Sequence, residues 1–396
     1  MPVEFIGMIA TQEQSEIHPR SGPVIDRAFV RAFARAHEDA GFDKVLIGYS
    51  AGRPDGLQVA AYAAAHTERL HFLIAHRPGF VFPTVAARSF ATLDQFTEGR
   101  VALHTITGGN DAEQRRDGDY LAKDERYART DEYLEILNQA WTSSEPFSFE
   151  GQHYRFENFL SEVRPLQQPR IPVYFGGSSE AAYRVGARHA DVYALWGEPL
   201  AETAVQIAAV RAEADRYGRS PRFSVSFRPI LGSTEELAWE RAQSILARVQ
   251  DNVKASKGQF APSHLRYNLD GRPENAGSQR LLAAAAAAER HDRALWTPLA
   301  AATGAAGNST ALVGTPETVA QALLDYVDIG VTTFLMRGYD PYDDAIDYGR
   351  HLLPLVRTEV ERRDRSDQCA EDRDKLLGDV GRVGRCLLYT SPSPRD

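Results

Sequence analysis

Cysteine is nearly missing from this chain of 396 residues: there are two, Cys369 and Cys386, both close to its C-terminal end. The body therefore offers no thiolate nucleophile, no disulfide framework and no cysteine-based metal site. A His-Glu-x-x-His helix is absent, as is clustered histidine spacing, so no metal is expected. Neither a Walker A loop nor a dinucleotide glycine fingerprint follows any strand-like run. No apolar run approaches the roughly 20 residues that cross a bilayer. Positive charge is in deficit, with 45 Lys and Arg against 54 Asp and Glu and a net charge of -9. That balance argues against nucleic acid or an acidic membrane as partner, and an anionic substrate would need a locally basic pocket. The opening Met1-Pro2-Val3-Glu4 lacks the basic start of a secretory signal, so the expectation is a cytoplasmic enzyme.

What is present is an alternation. Hydrophobic residues make up 43% and charged residues 25%, an ordinary globular balance. Short strand-like runs (Val3–Ile9, Lys44–Ile47, Leu70–Ala75, Val101–Thr107, Ile171–Phe175, Val192–Trp196, Phe223–Leu231, Thr332–Arg337) are each followed by a helical pattern. Eight strand–helix units predict a closed (β/α)8 TIM barrel rather than an open sheet. Two stretches interrupt the rhythm. Glu145–Glu162 carries Phe147, Phe149, Tyr154 and Phe156 in alternation, which predicts a hairpin inserted before strand five. Asn252–Ser309, before strand eight, is long enough for a mobile lid, or equally for a solvated helix with a linker. We therefore expect one barrel domain over residues 1–362. The tail 363–396 loses apolar periodicity, and its last residues, Cys386–Asp396, resemble the translation of a sequencing adapter, so no function is expected of it.

In such a barrel the chemistry lies where strands end and helices begin. Tyr174-Phe175-Gly176-Gly177-Ser178-Ser179 is the most informative of these junctions. An apolar run stops at two glycines and two serines, and a helical pattern starts at Glu180. This geometry offers free backbone N–H groups and a hydroxyl to a phosphate, although many such turns only cap a helix. Other junctions carry His76-Arg77, Thr107-Gly108, Trp196-Gly197, Ser226 with Arg228, and Arg337-Gly338-Tyr339. Glycines mixed with aromatic and basic residues suit a flat, phosphorylated cofactor beside an anionic substrate.

These residues resemble the bacterial-luciferase-like flavin monooxygenases, and among them the alkanesulfonate monooxygenase branch. The resemblance covers roughly residues 3–358. It is carried by Arg77-Pro78, Pro83–Arg88, Ala91–Asp94, Gly99-Arg100, Thr107-Gly108, Glu125–Tyr127, Gln167–Pro169, Tyr174–Ser179, Trp196–Pro199, Thr310–Gly314 and Gly338-Tyr339. It implies an oxygenase that takes reduced FMN from an NAD(P)H-dependent flavin reductase, uses O2 and forms a hydroperoxide at the flavin ring junction. The substrate would be a small anionic organosulfur compound, an alkanesulfonate giving an aldehyde and sulfite. A homo-oligomer is implied too. Gly177, Ser178 and Ser179 would cradle the FMN phosphate with Tyr127, Thr107 would lie beside the ring, and Trp196 would wall the pocket. Arg228, Tyr339 and Arg337 are the catalytic candidates: guanidinium forks suit oxyanions, and a phenol can deliver a proton.

The chain also departs from that branch. The loop Ser50–Asp55 lacks the expected cysteine, Ser226 and Arg228 replace an arginine and a histidine, and Lys123 stands for a histidine. A loop arginine is absent from Ala302–Asn308. These changes fall on the substrate side more than the flavin side. Two alternatives therefore stay open: deazaflavin- or flavin-dependent hydride transfer on the same barrel, and a non-catalytic flavin-binding protein.

Overall fold

The computed structural model describes residues 2–255, 273–307 and 310–366. Alternating apolar residues build eight parallel strands: β1 (Glu4–Ile9), β2 (Lys44–Ile47), β3 (His71–His76), β4 (Val101–Thr105), β7 (Val173–Gly176), β8 (Val192–Trp196), β9 (Arg222–Leu231) and β13 (Val331–Met336). Each hydrogen-bonds the next, β8 pairs β9, and β9 pairs β13, which returns to β1. The ring is closed, as the eight-unit pattern predicts.

Because side chains alternate across a strand, the barrel sorts them into two cores. Ile6, Leu73, Ala102, Tyr174 and Val192 fill the interior. Their neighbours, such as Phe5, Phe72, Leu103 and Phe175, face the outer helices. At the N-terminal rim Glu4 meets Lys44 at 3.2 Å and Arg222 at 3.4 Å, closing the barrel floor with charge.

The helices are α1 (Arg27–Asp39), α2 (Gly56–Ala64), α3 (Pro83–Phe96), a short α4 (Asp111–Arg116), α5 (Lys123–Thr142), α6 (Glu180–His189), α7 (Leu200–Asp215) and α8 (Glu235–Ala255). Short polar residues start several of them: Asp26, Asp55, Asn110 and Ser179 each accept a first-turn N–H. The hairpin expected before strand five is present as β5 (Phe147–Glu150) and β6 (Arg155–Phe159).

The second insertion is only partly described. Its residues 273–307 form α9 (Ala276–Ala287), a two-residue pair β10 (Arg290–His291) and β11 (Leu295–Trp296), and α10 (Pro298–Ala302). Two further elements lie beyond the eight-unit count: β12 (Ala311–Gly314) and α11 (Pro316–Asp328). Strand β12 pairs parallel with the last residues of β9, from Arg228 to Leu231, outside the ring. Hence β9 is shared: its first residues close the barrel, and its end belongs to a smaller sheet with its own core of Ile230, Ala238, Trp296, Val313 and Tyr339.

After β13, α12 (Pro341–Asp347) runs through a π-helical turn into a helix over 353–366. The rest of the tail, including both cysteines, lies outside the described residues. Among the described residues no helix is long and apolar enough to cross a membrane.

Candidate active site

The C-terminal ends of the barrel strands enclose one large cavity of about 830 Å³. Its walls come from the expected junctions, and the structure brings Thr107, Tyr127, Gly177, Ser178, Ser179, Trp196 and Arg337 together around it. Arg228 and Tyr339 do not line it.

The turn after β7 is built for close approach. A side chain at Gly177 would overlap the Ala182 methyl and come within 3.2 Å of the Tyr127 hydroxyl, so the position admits glycine alone. From behind, the Tyr193 hydroxyl donates to the Gly177 carbonyl at 2.8 Å and fixes the turn. Ser179 accepts the Ala182 N–H at 3.3 Å and so begins α6 as a capping residue that itself lines the cavity. Burial raises the Tyr127 phenol pKa and Ser179 partly offsets that rise, so Tyr127 is a neutral donor near pH 7. Lys123 and Arg126 line the same end, and Arg126 pairs with Asp111 at 2.8 Å. Neutral hydroxyls, helix N–H groups and Lys123, which has no carboxylate partner among the described residues, are groups that could receive an anion.

The wall beside it is Thr107-Gly108. Thr107 donates to the Thr130 hydroxyl at 3.3 Å, which donates to the Arg126 carbonyl at 2.7 Å. Gly108 has φ of 101° and lies against Gln114, so both conformation and space require glycine. His104 lines the cavity with its Nδ1 lacking a hydrogen-bond partner. His76, the last residue of β3, is 2.7 Å from the Tyr133 hydroxyl and does not line the cavity.

Burial holds His37, His76 and His104 neutral, each with its pKa lowered to about 4. A lowered folded pKa means that this stability is present above the unfolded value of 6.5 and is lost as pH falls towards 4. Unfolding free energy should therefore decline through this window with extra proton uptake by the unfolded chain. His104→Asn should reduce the slope by up to one proton, about 1.4 kcal/mol per pH unit. Urea titrations at several pH values check this; an unchanged slope in the variant refutes the neutral burial of His104.

Trp196, at the end of β8, is roofed by the insertion. Its ring lies against Gly277, where a side chain would not fit, and packs with Leu281, Ala300 and Ala305. Arg280 clamps this roof to the barrel through Glu198 at 2.6 Å, and Glu274 accepts the Asp111 N–H at 3.1 Å. The described part of the insertion thus covers the cavity mouth.

Cationic residues line the wall away from the cradle. Arg77 is 3% exposed, stacks over Tyr49 at 4.5 Å and meets Glu113 at 3.3 Å. Its Nε and Nη1 have no hydrogen-bond partner. Arg337 reaches Glu16 at 3.8 Å, and Arg53 also lines the cavity. Arg228 lies where β9 leaves the ring. It pairs with Glu16 at 2.9 Å, donates to the carbonyls of Arg337 and Gly338 at 3.1 and 3.0 Å, and stacks 3.6 Å over the Tyr339 ring. Arg228 and Tyr339 therefore back the wall that Arg337 and Glu16 present.

Gln14, Glu16 and Tyr49 are cavity residues outside the sequence expectations, while Arg53 comes from the expected Ser50–Asp55 junction. Gln14 and Glu16 lie in the loop after β1, a junction where the rule that places chemistry at strand ends also points. Among the described residues no group of three His, Cys, Asp or Glu side chains is disposed to hold a metal.

The family model for luciferase-like monooxygenases matches residues 3–333. The fold is shared with solved structures of low sequence identity. A riboflavin lyase, solved with modified FMN and its substrate riboflavin, superposes with a TM-score of 0.74 at 22% identity, over 91% of this chain and 92% of that one. EDTA monooxygenase from Chelativorans sp. BNC1 gives 0.71 at 18%, over 91% and 94%. An F420-dependent secondary alcohol dehydrogenase, bound to an F420–acetone adduct, gives 0.63 at 14%, over 90% and 100%. Fold and family model agree, and the chain belongs to the luciferase-like monooxygenase family.

Proposed function

We propose that the protein is an FMNH2-dependent, two-component monooxygenase that uses O2 to oxidise a small anionic organosulfur compound, most simply an alkanesulfonate cleaved to an aldehyde and sulfite. The observation that carries this reading is one cavity holding an anion cradle at Gly177–Ser179 and arginines away from it. The residues present fit FMN: a turn that a Cβ would block, helix N–H groups, the Tyr127 phenol, and a neutral His104 with a free ring nitrogen. Gly177, Ser178, Ser179 and Tyr127 would hold the phosphate, with Thr107 and Trp196 beside the ring. Reduced FMN, when bound, would supply the electrons and O2 the oxygen atom.

The chain's own residues then bind, orient and exclude water. Arg337 and Arg77 direct donors at an oxyanion from a low-dielectric wall, where such contacts are strongest. Burial lowers the Arg337 pKa, with Glu16 opposing and Arg228 reinforcing that shift. Arg228 and Tyr339 act as positioning residues, holding Glu16 and the 337–338 backbone. The Tyr339 phenol, its pKa raised to about 12 by burial and drawn back by Arg228, stays protonated. The roof at Trp196 and Gly277 limits water. The reading includes a partner flavin reductase, a cytoplasmic setting and a homo-oligomer.

Purified protein supplied with a flavin reductase, NADH, FMN, oxygen and short alkanesulfonates should release sulfite, with none under nitrogen. Absence of sulfite from every sulfonate overturns C–S cleavage. Oxygen-independent turnover with a deazaflavin would point to hydride transfer, in keeping with the fold shared with the F420-dependent dehydrogenase.

A further inference from the structure

The loop between β1 and α1 folds over the cavity and carries Gln14 into its lining. Three guanidinium groups converge on this one neutral residue. Arg20 Nε donates to its side-chain oxygen at 2.6 Å, and both terminal nitrogens of Arg53 reach the same oxygen at 3.4 Å. Arg337 donates to its main-chain carbonyl, also at 3.4 Å. An amide oxygen accepts hydrogen bonds but cancels no charge.

Carboxylates do not make up the difference. Among the described residues, Arg20 and Arg53 have no acidic side chain within ion-pair distance. Glu16 is shared between Arg228 at 2.9 Å and Arg337 at 3.8 Å. Glu16 lies closer to Arg228, behind the wall, and Arg20 is exposed, so among the described residues Arg53 and Arg337 leave about two positive charges in excess at this end of the cavity. Arg53 registers the crowding: burial, then repulsion from Arg20 and Arg337, lowers its pKa to about 10. It remains charged at neutral pH.

Position separates this cluster from the phosphate cradle. The cluster sits at the junctions of β13, β1 and β2, while Gly177–Ser179 follow β7, across the closed ring. Arg53, Arg337 and Gln14 nevertheless line the same cavity as the cradle. A cofactor phosphate held at Gly177–Ser179 leaves the arginine cluster to another anion.

We propose that Arg53 and Arg337, with the exposed Arg20 beside them on Gln14, form a second anion site that selects a doubly charged substrate, a sulfonate bearing a further acidic group such as a carboxylate. A monoanion leaves part of the excess charge unmatched, whereas a dianion meets it, and forked donors suit planar carboxylate and tetrahedral sulfonate oxygens alike. The identification of the sulfonate rests on the function proposed above; the preference for two charges rests on the cluster itself.

Calorimetric titration of the protein loaded with oxidised FMN separates these. The probes are sulfoacetate, malonate (a dianion without sulfur) and ethanesulfonate (a monoanion). Sulfoacetate and malonate should each bind at least about tenfold more tightly than ethanesulfonate, a gap of about 1.4 kcal/mol. Arg53→Gln should close most of that gap, with the FMN titration and thermal melt of the variant as controls for folding. Equal binding of the mono- and dianions, or an equal loss for both in Arg53→Gln, overturns the proposal. If malonate and sulfoacetate bind through Arg53 while no sulfonate releases sulfite, the site stands and the C–S cleavage reading falls. If ethanesulfonate and sulfoacetate release sulfite equally well in wild type and Arg53→Gln, the cleavage reading stands and the site falls.

Discussion

Gly177→Val should cost the protein most of its affinity for FMN while leaving it folded. Even a Cβ at this position would overlap the Ala182 methyl, and a branched side chain would also crowd the Tyr127 hydroxyl. The turn must then swing away from the start of α6, taking Ser178 and Ser179 with it. A phosphate held by a few converging N–H and hydroxyl donors loses them together, because these donors belong to one rigid turn. The expected loss is on the order of 100-fold in Kd, about 3 kcal/mol. Riboflavin, which has no phosphate, supplies the control: its weaker binding to wild type should change by less than about threefold in the variant. Flavin fluorescence titration reads both, and a thermal melt verifies folding. A parallel loss for FMN and riboflavin would assign the turn to the ring rather than the phosphate. Unchanged FMN binding would remove Gly177 from the site.

This turn was legible from sequence because every part of it is local. A strand, two glycines, two serines and a helix follow one another, and the spacing of the eight strands places the turn at the barrel mouth. The barrel itself was legible for the same reason, since period-two and helical patterns alternate along the chain. Strand β12 and helix α11 were not. Ala311–Gly314 is only four residues long, and the helix that follows it, capped by Thr315 accepting the Thr318 N–H, is a ninth strand–helix unit that the eight-fold count of a barrel does not call for. Arg228 illustrates a deeper limit. Spacing puts it on strand seven of the barrel, but its surroundings depend on where β9 leaves the ring, which is decided by its partner β12. The arginine cluster is likewise non-local: Arg20, Arg53 and Arg337 stand far apart in sequence and meet through the fold of the loop after β1.

Removing one member of the Glu16–Arg228 pair should destabilise the fold far more than removing both. Arg228 is 2% exposed, and its charge is met by Glu16, two carbonyls and the face of Tyr339. Burial disfavours its charged form, but Glu16 more than reverses this and raises the pKa, so the guanidinium stays charged at any pH at which the protein folds. Glu16→Gln leaves that buried cation facing Arg337 without a counter-charge. Arg228→Met leaves two carbonyls without their donors, and Glu16 with the more distant Arg337. Breaking a buried pair from one side typically costs about 3–5 kcal/mol, whereas replacing both partners is often close to neutral. Unfolding in urea should therefore show each single variant less stable by about 3–5 kcal/mol and the double variant Glu16→Gln/Arg228→Met recovering at least half of the loss. Simple additivity in the double variant would refute the coupling. Ligand binding adds a separate test: in the double variant Arg53 and Arg337 remain, so malonate should still bind more tightly than ethanesulfonate. Loss of that preference would make Arg228 a direct ligand of the anion rather than the support behind the wall that meets it.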